Sequence, residues 1–181
     1  MPKYHDVSGS TSESVTGVRS TGRAGIVLHS TEGVDSLEWL QGGSARSGKP
    51  ASADYLVTRA GDIYQITAHL HFAYHVGVGT WRHIHNSFGR LNMLLIGIEL
   101  ESREGDHPRY TDEQIISSVL LVRALFAYHR LDVLGLIRHG DIALPPGRRT
   151  DPVAFPAHMW TRELMSPPRH DTGLVFPVVL P

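Results

Sequence analysis

LLIGIEL, residues 94–100, is a run of apolar and small residues interrupted once, by the acid Glu99. It is far too short to span a bilayer and reads as a β-strand inside a sheet. Alternation along such a strand puts Ile96, Ile98 and Leu100 on one face and Gly97 and Glu99 on the other. A carboxylate ending an apolar strand is a solvated charge, a salt-bridge partner or a reactive group. Two further apolar runs end in a similar way. GIVLH, residues 25–29, ends on His29, and LGLIRH, residues 134–139, ends on His139. In open α/β sheets, sites gather where strands end.

The segments around these three strands complete an α/β pattern. DYLVTRAGDIYQI, residues 54–66, reads as a hairpin in which Gly61 supplies a positive φ at the turn. TDEQIISSVLLVRALFAYHRL, residues 111–131, reads as a helix. Its apolar stripe is Ile115, Val119, Val122 and Phe126, and Thr111 with Gln114 fits a capping box. Short helices are expected over 35–41 and 157–165. Residues 8–23 are rich in Ser, Thr and Gly and read as a surface arm or loop. Residues 67–93 lack periodicity and carry five histidines, which suggests a functional loop. The expected organisation is an N-terminal arm or loop over 1–24, a single domain over 25–165 and a C-terminal extension over 166–181.

Composition narrows the function. The chain has 181 residues and 20.0 kDa, the size of one domain. A net charge of −1 and a pI near 6.9 give no electrostatic footprint for nucleic acid or a membrane surface. Without cysteine there are no disulfides, thiol nucleophiles or thiolate ligands. Twelve histidines are many for this length, and histidine is the commonest metal ligand and general base. The N-terminus, MPKYHDVSGS, has no apolar core of a signal peptide.

RHGDIALPPGRRTDP, residues 138–152, adds acids to the histidine pair. Two histidines and one carboxylate, with water as the fourth ligand, form a catalytic zinc set. Asp141 and Asp151 are the candidates. Asp151 is favoured, because a residue before proline is pushed towards extended backbone. Residues two apart then share a face, so Arg149 goes with Asp151 and Arg148 points away to solvent or a surface acid. Asp141 reads as a turn or cap residue. His69, His71, His83 and His85 read as surface or groove-wall residues. Trp39, Trp81 and Trp160 read as packing residues, with Trp81 also placed to stack a sugar ring.

The pieces GIVLHSTEG, SADYLVTRAGDIYQI, AYHVG, LIGIELES and RHGDIALPPGRRTDP, in this order, resemble the zinc-dependent N-acetylmuramoyl-L-alanine amidases of the amidase-2 family, which includes AmpD-like enzymes and peptidoglycan recognition proteins. The resemblance covers roughly residues 25–160. It implies a mixed central β-sheet flanked by α-helices, and a Zn2+ ion in a surface groove held by His29, His139 and Asp151. It makes Glu99 the general base. Arg149 stands where the AmpD-like branch usually has lysine, and keeps the role of binding the developing oxyanion. His75, Arg90 and Asn92 match substrate contacts. Asp54 stands where many members have histidine, a departure expected to alter the groove wall. The implied partner is peptidoglycan or muropeptide, acted on by a monomer. With no signal peptide visible, the expected setting is a recycling enzyme in the cytoplasm or a phage lysin released by a holin. A peptidoglycan-binding module without activity and a zinc peptidase on the stem peptide are the alternatives.

Overall fold

The computed structural model describes residues 2–166 apart from 32, 34, 49 and 103–109. The expected C-terminal extension therefore lies outside the described residues except for Ser166, as do His107 and His170.

Strands β3 (Gly25–Ser30) and β9 (Leu95–Leu100) run parallel and pair residue for residue, from Gly25 with Leu95 to Ser30 with Leu100. They form the middle of a six-stranded sheet. Beside β3 lies β10 (Leu136–Arg138), also parallel. On the other side, β9 is followed by β4 (Tyr55–Val57), β5 (Ile63–Gln65) and β1 (Tyr4–Asp6). Only the β4–β5 hairpin pairing is antiparallel, so the sheet is mixed as expected. Gly61 turns the hairpin with φ +86°.

The alternation expected from LLIGIEL is visible in the packing. Ile96, Ile98 and Leu100 join Ile26 and Leu28 in a core beneath helix α3 (Asp112–His129). Ile115, Val119 and Val122 of α3 are at most 3% exposed, and Phe126 packs at their edge. Helix α5 (Ala157–Met165) closes the same face through Trp160. Burying side chains of this size contributes about 1.5–3 kcal/mol each, so α3 anchors the sheet from behind. Thr111 caps α3 by accepting from the Gln114 N–H at 3.1 Å. The capping box is not completed, because the buried Gln114 amide donates to the carbonyls of Val57 and Glu101 at 2.9 Å each.

The opposite face is covered by short elements: α1 (Ser36–Leu40), β7 (Thr80–Trp81), β8 (Ile84–His85), α2 (Arg90–Leu94) and α4 (His139–Ile142). Val27, Val76, Trp81, Leu91, Leu95 and Ile142 pack there. Residues 1–24 correct the expectation of an arm ahead of the domain. β1 is an edge strand of the main sheet, β2 (Thr16–Val18) pairs with β6 (His71–Ala73), and Val15 is fully buried. Among the described residues no helix is long and apolar enough to cross a membrane.

Candidate metal centre

The site is built by register. His29 on β3 pairs directly with Glu99 on β9. Arg138 on β10 pairs with Leu28, so His139, one residue on, is level with His29. Near the ends of three neighbouring parallel strands, β9, β3 and β10, Glu99, His29 and His139 thus lie level across the sheet. At His139 the chain turns into α4, and Asp141 caps that turn. Its carboxylate accepts from the Arg138 N–H at 3.3 Å and from the Arg138 guanidinium at 2.8 Å. This satisfies Asp141 locally and leaves Asp151 as the acid of the site. The Asp151 carbonyl accepts from the Gly140 N–H at 3.0 Å, which holds the Asp151 loop against α4.

Asp151 Oδ2 lies 3.0 Å from His139 Nδ1 and 3.3 Å from His29 Nδ1. The three ligand atoms fall within 4.8 Å of one another. All three residues are buried. Burial pushes the His29 imidazole down to about 4, against the pull of Asp151. Burial alone would raise the Asp151 carboxyl, but the close approach of the His139 and His29 imidazoles holds it well below the usual carboxylate range. A neutral imidazole and an ionised carboxylate are the forms that bind a metal. Two ring nitrogens and one carboxylate oxygen converging on a point fit a divalent cation of the zinc type.

The centre opens into a groove of about 690 Å³, lined also by Glu99, Arg148, Arg149, Trp39 and Tyr74. With the fold and this geometry in place, the family can be assigned. Residues 21–154 match the family model described as N-acetylmuramoyl-L-alanine amidase. The chain belongs to this amidase family. A curated relative, the 1,6-anhydro-N-acetylmuramyl-L-alanine amidase AmpD of Enterobacter cloacae, is 35% identical over 111 residues. That match spans 61% of this chain and about half, 54%, of the relative. A crystal structure of a selenomethionine AmpD derivative superposes with a TM-score of 0.73 at 22% identity, covering 92% of this chain and 96% of that one. The amidase AmiD of E. coli, in complex with anhydro-N-acetylmuramic acid-L-Ala-D-γ-Glu-L-Lys, superposes with a TM-score of 0.64 at 24% identity, covering 81% and 60%.

Against the amidase expectations, the structure brings His29, His75, His139, Asp151, Glu99 and Arg149 together around one groove. It does not bring Arg90 or Asn92 there. Arg90 is exposed outside the groove lining, and Asn92 is buried with its Oδ1 accepting from the N–H groups of His75 and Val76. Asp54 does not form groove wall either. It is 3% exposed and closed by Arg23 at 2.6 Å and the Gly97 N–H at 2.8 Å. Arg148 also lines the groove, and its guanidinium donates to the carbonyls of Leu144 and Val78, not to a surface acid. Trp81 is 9% exposed in the core with Arg82 over its ring, so it offers no sugar platform. The groove tryptophan is Trp39, which is 47% exposed. His69, His71, His83 and His85 are absent from the groove lining. Tyr110 lies outside the groove lining. Its hydroxyl donates to the Val153 carbonyl at 3.0 Å, and burial pushes its pKa up to about 12.

Proposed function

We propose that the chain hydrolyses the amide bond between N-acetylmuramic acid and L-alanine in peptidoglycan or its fragments. The observation that carries this is the convergence of His29, His139 and Asp151 beside Glu99, paired across β3 and β9 at the floor of the groove. His29 Nδ1, His139 Nδ1 and an Asp151 carboxylate oxygen would hold a zinc ion. Bound there, zinc supplies a Lewis acid that lowers the pKa of water and polarises the scissile carbonyl.

The protein's own groups supply the rest. Glu99 lies on the His29 side of the sheet, placed to take the proton from the attacking water and return it to the leaving amine. Arg149 lines the same groove, and its guanidinium binds the developing oxyanion through its planar donors. It does not trade a proton as a lysine could. Proton return therefore falls to Glu99.

Digestion of purified sacculi and of anhydro-muropeptide, each with and without chelator, tests the reading. The expected products, identified by mass spectrometry, are a free lactyl carboxylate on the sugar and a peptide beginning with L-alanine, both lost with chelator. Cleavage of sacculi places the chain with phage lysins. Cleavage of anhydro-muropeptide alone places it with recycling enzymes. Stoichiometric zinc without cleavage makes it a binding module, and cuts within the stem peptide make it a peptidase.

A further inference from the structure

We propose that Tyr74–Val76, clamped by Asn92, is a platform that orients both metal-binding histidines, with His75 a positioning residue for His29 and not a substrate contact. The proposal rests on the amidase reading above. It starts from where the second nitrogen of each histidine goes. His139 Nε2 lies 3.0 Å from the Val76 carbonyl. A carbonyl only accepts, so His139 carries its hydrogen on Nε2 and keeps the Nδ1 lone pair for a cation.

His29 reaches the same outcome through one more ring. Its Nε2 lies 3.0 Å from His75 Nδ1, and His75 Nε2 lies 3.3 Å from the Leu95 carbonyl. The carbonyl fixes the His75 hydrogen on Nε2. His75 Nδ1 is then an acceptor, the His29 hydrogen sits on Nε2, and the His29 Nδ1 lone pair faces Asp151. One three-residue segment thus sets the tautomer of both ligands, one by a side chain and the other by a carbonyl. Outer contacts of this kind orient metal ligands and raise their basicity.

The segment is held for this role. Asn92 Oδ1 accepts from the His75 N–H at 3.2 Å and from the Val76 N–H at 2.9 Å. The His75 ring packs on Gly97, where a Cβ would lie 2.6 Å from His75 Cγ. Gly97 therefore leaves room for this ring. His75 is only 8% exposed, which leaves a substrate little of it to touch.

Zinc affinity, measured by competition with a chromophoric chelator, tests the proposal without substrate. His75→Leu keeps bulk, removes the acceptor and is expected to weaken zinc binding by about 10- to 100-fold. His75→Asn, whose side-chain oxygen can accept from His29, is expected to recover most of that loss. Should His75→Leu fail to fold, ring ¹⁵N NMR of the zinc-loaded wild-type protein gives the answer directly. It should show His29 and His139 bound through Nδ1 with hydrogen on Nε2, and His75 with hydrogen on Nε2 alone. Unchanged zinc affinity in His75→Leu with a raised KM for muropeptide overturns the proposal and restores a substrate contact. A hydrogen on His75 Nδ1 overturns it as well. Both results leave the amidase reading standing, whereas a wild-type chain that binds no zinc removes the two together.

Discussion

Two buried clusters of charge flank the central strands, and they are finished differently. In the first, Arg23 donates to Asp54 and to the carbonyls of His71, Asn92 and Leu95, while the second oxygen of Asp54 accepts from Gly97. Its charges are matched, and its donors tie β6, α2 and β9 together. In the second, His29, His139 and Asp151 turn their ligand atoms towards one point beside an open groove. Their outward nitrogens are bound by neighbouring groups, and the inward ones converge. The Leu95 carbonyl serves both clusters, accepting from Arg23 and facing His75 Nε2. A buried charge closed upon its partners is framework, whereas buried ligands aimed at a common centre are a site.

Substitutions should separate the two clusters, most sharply at Asp151. Asp151→Ala removes one ligand and the only carboxylate of the set. It should abolish stoichiometric zinc binding and amide hydrolysis, read by metal analysis and product release. Glu99→Gln should keep zinc and lose on the order of 10²–10⁴ in kcat, the range for a general base. Arg149→Ala should lose on the order of 10²-fold in kcat with zinc content unchanged, whereas Arg149→Lys should keep substantial activity. An Arg149→Ala enzyme of undiminished turnover would remove Arg149 from the chemistry.

At the framework cluster the effect should fall on stability. Asp54→Ala leaves Arg23 buried without its counter-charge and should cost about 3–5 kcal/mol in denaturant unfolding, while the folded fraction still binds zinc. The smallest expected effect is with pH. The His29 pKa is depressed in the folded state from 6.5 to about 4, so the unfolded chain binds more protons across that window. Stability of the metal-free protein should therefore be full above about pH 6.5 and fall as pH drops towards 4. His29→Asn should flatten that slope.

Much of this site was legible because it is written in strand periodicity. Apolar runs ending at His29, Glu99 and His139 need only alternation to place them on one side of a sheet, and the structure pairs His29 with Glu99 directly. The hairpin and α3 were legible for the same reason, since turn chemistry and an apolar stripe are local signals. Where the reading failed, the deciding contact was distant in sequence. β1 is a strand because Tyr4–Asp6 adds to β5, some sixty residues away, and nothing apolar within it says so. Gln114 resembled a capping residue until β4 offered it a carbonyl. Asp54 and Asn92 resembled groove residues until Arg23 and the backbone of residues 75–76 claimed them. Trp39 and Trp81 differ in burial, which neither sequence neighbourhood reveals.

Anomalous diffraction at the zinc edge, from crystals of the zinc-loaded protein, locates the metal. A single strong peak should lie between His29 Nδ1, His139 Nδ1 and an Asp151 carboxylate oxygen, about 2.0–2.2 Å from each. An empty map there, or a peak held instead by loop histidines such as His83 and His85, would show that His29, His139 and Asp151 are not the metal ligands.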